Sequence, residues 1–246
     1  MYIVLITALG VGGATVFGAV IGFLFKGISC KYSNIVLAFS GGVMLLASIN
    51  GLILPALEYE GRFALPVCII GIFFGAALIF LLDKLVPHIT KMADGGEVAK
   101  KRNRVILFTL AIAIHNLPEG IAAGVGFGTG DVGSAVTLAL GIALQNIPEG
   151  MVIISPMMGA GISPRKTFIY AALTGVIEIF GTFIGYFAVS LATAVLPFAL
   201  ALAGGSMLYV ISDEIIPESH SVEKKSSVSF AFLFGFSLML AISFLI

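Results

Sequence analysis

His115-Asn116-Leu117-Pro118-Glu119-Gly120 is echoed thirty residues later by Gln145-Asn146-Ile147-Pro148-Glu149-Gly150, and both stretches sit inside long apolar runs. An ionisable side chain at the centre of a bilayer-spanning helix costs roughly 2.5–3.5 kcal/mol on insertion scales. Two glutamates and a histidine in matched settings therefore call for a ligand that offsets this cost. A divalent metal ion is the simplest candidate.

The rest of the chain fits that setting. Its 246 residues are 59% hydrophobic and 11% charged, and the mean hydropathy is +1.13. A soluble domain carries about 25% charged residues, so the composition is that of an all-α integral membrane protein. The formal net charge is zero and no basic patch suggests nucleic acid. Cys30 and Cys68 form no spaced pair, which excludes a disulfide framework or a zinc finger. The first apolar run has no basic residue before it but is followed by Lys26 and Lys31. That order is wrong for a cleaved signal peptide and favours an N-terminus outside.

Apolar stretches of about twenty residues predict eight spans, at 2–25, 34–57, 63–86, 104–128, 132–155, 167–190, 193–216 and 228–246. With both termini outside, twelve of the thirteen cations fall at inner ends and only Arg62 falls outside. This obeys the positive-inside rule, and a seven-span chain would scramble it. The segment from His88 to Arg104 is too short and too polar for a separate domain. Residues 1–246 are thus read as one transmembrane domain in a multi-pass protein of the cell (inner or plasma) membrane.

The chain also resembles itself. Phe17-Gly18-Ala19-Val20-Ile21-Gly22-Phe23 matches Phe180-Gly181-Thr182-Phe183-Ile184-Gly185-Tyr186, and Gly41-Gly42-Val43-Met44-Leu45 matches Gly204-Gly205-Ser206-Met207-Leu208. Both matches are offset by 163 residues, and Pro55 and Pro217 follow at an offset of 162. The paired spans run in opposite directions, so the repeat is inverted. The expectation is a 3+2+3 arrangement: a first triplet over 1–86, a motif-bearing pair over 104–155 and a second triplet over 167–246. Inverted repeats with a site at their interface mark alternating-access carriers.

Within the central pair, His115 and Glu119 share one helix face, as do Gln145 and Glu149, because side chains four apart stack. Pro118 and Pro148 lack the N–H that would bond Ile114 and Leu144, which leaves two carbonyls beside the polar residues. Glu178 lies deep in the sixth span, and its counterpart at the 163 offset is Thr15. Asn116 and Asn146 point about 100° away from His115 and Gln145, toward a second ion position alongside Glu178, with Glu119 and Glu149 as bridges. Imidazole, carboxylates and amide oxygens together suit a borderline divalent transition metal. A proline kink beside one asparagine is ordinary helix-packing chemistry, but packing does not explain two copies carrying midplane glutamates. Met44 and Met207 read as packing residues. Asp213, Glu214, Glu218 and His220, like Asp83 and His88, divide between interfacial anchoring and an exit funnel, and Glu58 and Glu60 read as a solvated loop.

These motifs, with the run Met207-Leu208-Tyr209-Val210-Ile211-Ser212-Asp213-Glu214-Ile215-Ile216-Pro217-Glu218, resemble the ZIP family of metal transporters (the zinc–iron permeases), and more closely its prokaryotic GufA-like branch. The resemblance covers all eight spans. It implies a binuclear metal centre and uptake of divalent metal into the cytoplasm. One implied site is His115, Glu119, Gln145 and Glu149. The adjacent one is Asn116, Glu119, Asn146, Glu149 and Glu178. Many family members have histidine at the position of Gln145 and some have aspartate at that of Asn146, so this chain places neutral amides there. The loop after the third span also lacks the histidine run of many eukaryotic relatives.

The expected function is therefore transport of divalent d-block metal, zinc foremost and also iron, manganese or cadmium, bound as substrate and not as a cofactor. The partners are the metal ions and the lipid bilayer, with a homodimer implied by the family and by the small residues from Gly71 to Ala77. The alternatives are a membrane-embedded zinc hydrolase, which lacks an H-E-x-x-H helix and an obvious nucleophile here, and a passive divalent cation channel.

Overall fold

In a bilayer every backbone polar group must find an internal partner, which leaves helices as the solution for apolar segments of this length. The computed structural model describes residues 1–24, 30–58, 63–89, 97–191, 193–221 and 226–245, and among them the regular structure is helical throughout. Helix α1 spans Tyr2–Leu24. Helix α2 (Cys30–Ser48) continues through a π-helical turn, Ile49–Ile53, into the short α3, Leu54–Glu58. Helices α4 (Ala64–Ile89) and α5 (Glu97–Gly126) follow, then α6 (Val132–Gly159) and α7 (Pro164–Leu191). Helix α8 (Leu196–Val210) passes through a second π turn, Ile211–Ile215, into α9, Ile216–Ser219, and α10 covers Ser226–Leu245.

Seven of these helical stretches, among the described residues, are long and apolar enough to cross a membrane. They correspond to all of the predicted spans except the fourth. That one falls on α5, where the side chains of 97–108 lie outside the described set. Helix α5 starts seven residues earlier than the predicted 104, because Glu97, Lys100, Lys101 and Arg102 are good helix formers that simply extend it. Lys26, Glu60, Arg62, Lys91, Lys224 and Lys225 lie outside the described residues, as do the side chains of Cys30, Asp83 and His88.

The tightest helix pairs are α5 with α7, α1 with α6, α4 with α8 and α2 with α10. Glycines allow these approaches, and their contacts occur in matched sets. Gly12 and Gly175 lie against each other's backbone where α1 crosses α7. Gly18 lies against the Ile147 carbonyl of α6, and Gly181 against the Leu117 carbonyl of α5. Gly42 meets the Phe232 carbonyl of α10, and Gly205 the Ile72 carbonyl of α4. Without a hydrophobic drive between helices in lipid, such close backbone packing is what holds them together. Gly71 and Gly75, read from sequence as part of a dimer face, are used within the chain against Phe198, Ala201 and Leu202 of α8.

The main core gathers Met44, Leu52, Leu138, Ile142, Leu200 and Met207, so both repeat-related methionines pack as expected. A smaller cluster of Ala19, Ile153, Ile154 and Met157 lies between α1 and α6. Phe17, Phe73, Phe74, Phe180 and Phe234 are exposed on the outside, as lipid-facing side chains are.

The glycines that end the two motifs are the tightest test of this packing. A Cβ on Gly150 would lie 2.1 Å from the Thr15 carbonyl oxygen, and one on Gly120 would lie 2.3 Å from that of Glu178. Gly150→Ala and Gly120→Ala are each expected to cost about 1–3 kcal/mol. Gly10→Ala and Gly13→Ala, with nothing within 4 Å, should stay within about 0.5 kcal/mol. Thermal unfolding of the four purified variants checks the contrast.

Candidate metal centre

The two motifs meet in the middle of the molecule because α5 and α6 are held side by side from outside. Helix α6 starts at a cap: Asp131 accepts from the Gly133 N–H at 2.9 Å, the Ser134 N–H at 3.3 Å and the Ser134 hydroxyl at 2.6 Å. The Ser134 hydroxyl and these N–H groups hold the Asp131 carboxyl below the usual carboxylate range. The cap is therefore complete above that range and is lost as pH falls through the lowered value. Gly130, at a φ of 80°, makes the turn into it. Pro118 and Pro148 lie inside continuous helices, and α6 carries a third proline, Pro156.

All seven residues singled out from sequence are buried: His115, Asn116, Glu119, Gln145, Asn146, Glu149 and Glu178. The Gln145 amide donates to Glu119 Oε1 at 2.7 Å, which joins α6 to α5. Asn146 donates to Glu178 Oε2 at 2.6 Å and to the Val11 carbonyl at 3.2 Å. Asn116 donates to Glu178 Oε1.

Three partners come from elsewhere in the chain. The Thr15 hydroxyl of α1 donates to Glu178 Oε1 at 2.8 Å, and the Ser40 hydroxyl of α2 donates to Glu149 Oε1 at 2.9 Å. Glu214, in the second π turn, brings Oε1 to 2.8 Å from His115 Nε2. Sequence reasoning divided Glu214 between interfacial anchoring and an exit funnel, and gave Thr15 only as the repeat counterpart of Glu178. Ser40 gave no signal, since a lone serine in an apolar run is unremarkable. An open-sided cleft of about 490 Å³ leads to the centre, lined by His115, Glu119, Glu149, Glu214 and Glu218 among apolar residues. Asp213 is exposed beside it, and His220 turns its Nδ1 back toward the Ile216 carbonyl, 3.0 Å away.

What this arrangement can do chemically follows from its unpartnered atoms. Asn116 Oδ1, Glu119 Oε2, Gln145 Oε1 and Asn146 Oδ1 are buried with no hydrogen-bond partner. All four are acceptors. A buried acceptor without a donor costs about 1–3 kcal/mol, and a cation among them would satisfy several at once. Among the described residues no group of three His, Cys, Asp or Glu side chains is gathered to hold an ion alone. The amides are interleaved with the carboxylates, so any metal set here must include amide oxygens. A half-turn of an amide exchanges its NH₂ for its oxygen with little change of shape.

Known proteins agree with this description. The family model described as "ZIP Zinc transporter" matches residues 84–243. The chain is 35% identical to "Zinc transporter GufA" of Myxococcus xanthus, over 78% of each chain. It is 32% identical to "Zinc transporter ZIP11" of Xenopus tropicalis, over 94% of this chain and 93% of that one. It is 34% identical to "Zinc transporter ZupT" of Salmonella newport, over 97% and 95%. A multi-pass helical membrane protein built around buried carboxylates and amides is thus a transporter rather than an enzyme. The chain belongs to the ZIP zinc transporter family, which supports metal-ion transport as its activity.

Gln145 tests the electrostatic economy of the centre without metal. Gln145→Leu removes the donor to Glu119 and should destabilise the metal-free protein by about 1–3 kcal/mol. Gln145→His keeps an N–H in reach and should lose less. Thermal unfolding in the presence of a chelator distinguishes the two variants.

Proposed function

We propose that the chain carries divalent d-block metal ions into the cytoplasm, zinc foremost and iron, manganese or cadmium also within its range. The observation that carries this reading is the set of four unpartnered acceptor oxygens among three buried carboxylates, at the head of an acidic cleft. The cargo is bound first by His115, Glu119, Gln145 and Glu149. The adjacent donor set is Asn116, Glu119, Asn146, Glu149 and Glu178, with Glu119 and Glu149 shared between two ions.

A borderline ion suits this mixture of imidazole, carboxylate and amide, and the neutral Gln145 and Asn146 weaken affinity enough to allow release. The relatives named as zinc transporters favour zinc among the d-block ions.

Movement is by alternating access in a 3+2+3 inverted repeat with both termini outside. The paired glycine contacts of α1 with α6 and α7 with α5 support the repeat, as do the two π turns preceding Pro55 and Pro217. The cleft opens past Glu214 and Glu218, the end that the cation pattern assigns to the cytoplasm. On the other side Leu138 packs over Gly51 and the Met239 side chain over Gly141, which supports a closed outer route. In the cycle, α1, α5, α6 and α7 rock as one body against the remaining helices. Ser40 on α2 and Glu214 after α8 then form and break their contacts with the centre as it moves. A homodimer belongs to the same reading, with its contact elsewhere than on Gly71 and Gly75.

Purified protein in liposomes, with zinc influx followed by an internal dye, tests the proposal. Influx should saturate, which a passive channel would not show over the same range. Manganese and iron should compete. Glu119→Ala and Glu149→Ala should each lower influx at least about 100-fold, as expected when a buried charged ligand is removed. Unchanged influx in both variants would overturn the assignment.

A further inference from the structure

Hydroxyl side chains in these helices follow a habit that Thr15 breaks. Thr137, Thr174, Thr182 and Ser206 each donate to a carbonyl of their own helix, three or four residues back. This is the ordinary local bond of threonine and serine in a helix. Thr15 instead donates across to α7, to Glu178 Oε1 at 2.8 Å, and it is fully buried there. Ser40 likewise crosses to a glutamate of the centre.

One turn before Thr15 on the same helix, the Val11 carbonyl accepts from Asn146 Nδ2 at 3.2 Å. That bond matters for chemistry. It keeps the NH₂ group of Asn146 turned toward α1 and Glu178, so that Oδ1 is the atom left unpartnered and buried. Two neighbouring points on α1 thus hold two members of the adjacent donor set, one carboxylate and one amide. The backbone contact of the Thr15 carbonyl with Gly150 keeps α1 at the depth where both bonds form.

We propose that Thr15 is a positioning residue of the metal centre, whose hydroxyl, with the Val11 carbonyl one turn earlier, orients Glu178 and Asn146 toward the cation. It does not touch the metal. Helix α1 is thereby a wall of the site as well as a packing element. The inference rests on the transport reading above and names a residue outside the seven donors. Groups that orient metal ligands typically change affinity about 10- to 100-fold when removed.

The test compares Thr15→Val, Thr15→Ser and Glu149→Ala with the unaltered protein in zinc-influx measurements over a range of zinc concentrations. Thr15→Val keeps shape and loses the donor, so half-saturating zinc should rise about 10- to 100-fold while the maximal rate changes by less than about threefold. Thr15→Ser keeps the donor and should bring half-saturation back to within about threefold of the original. Equal impairment of both variants would mean that the threonine methyl, not the hydroxyl, matters, and the proposal would fall. It would also fall if Thr15→Val left half-saturation unchanged. Should Thr15→Val not yield a monodisperse protein, Thr15→Ala removes the donor from a smaller side chain and reads the same shift. Absence of saturable zinc influx in the unaltered protein sinks the transport reading itself, and influx that survives Glu149→Ala sinks the assignment of this centre as the cargo site. Influx lost in Glu149→Ala but unaltered in Thr15→Val sinks only the role of Thr15.

Discussion

Three carboxylates held at the middle of an apolar helical protein are the constraint that the rest of the chain answers. Glu119, Glu149 and Glu178 are buried among apolar helices, so each must be met by donors. The donors come from four helices: Gln145 and Asn146 on α6, Asn116 on α5, Thr15 on α1 and Ser40 on α2, and they meet carboxylates on α5, α6 and α7. Neutral donors satisfy only part of the need, because every amide that gives its NH₂ to a carboxylate leaves an oxygen behind. Buried acceptors left unmet in this way are costly, and that cost is what the proposed cation would offset.

Keeping the donors at hydrogen-bond distance requires helices to pass unusually close. The motif glycines supply this. Gly120 lets α7 approach until the Glu178 backbone touches α5, and Gly150 does the same for α1 beside α6. The Gly12–Gly175 crossing fixes α1 on α7. Asn116 and Asn146 can both reach Glu178 only because these backbones are in contact. The same residue string therefore carries both the polar side chains of the centre and the small residues that bring them together.

The two π turns add an asymmetry. Each follows a matched stretch and precedes a proline, yet the second carries Asp213 and Glu214 where the first carries Gly51 and Leu52. Glu214 reaches His115 and opens an acidic route from the centre, whereas Leu52 is buried in the core. π turns inside α-helices frequently mark functional sites, and here the related turns differ in charge. The cleft past the second turn is lined by Glu214 and Glu218, whereas the first turn buries Leu52.

Much of this was legible in the chain. Hydropathy gave the long helices, and the i, i+4 spacing paired His115 with Glu119 and Gln145 with Glu149. The motif echo and Glu178 marked the centre, because a carboxylate in an apolar run is conspicuous without any fold. The family was visible in the motifs. Helix ends were less exact, as at α5, where charged helix formers carry the helix beyond its apolar part. The small residues near Gly71 suggested a dimer face, whereas they pack on α8, since composition shows that a face is small without showing what meets it.

The sequence by itself determined the helical membrane class, the place of the motifs within their helices and the polar residue types they carry, because these depend on spacing within a helix and on hydropathy. Only the tertiary structure decided that Thr15 meets Glu178, that the Val11 carbonyl meets Asn146, that Ser40 meets Glu149, and that Glu214 meets His115. Those contacts join residues up to 163 positions apart. They depend on the relative rotation and height of helices whose local patterns are independent of one another, so no periodicity in the chain records them. Packing of backbone on glycine sets that register, and the register makes the site.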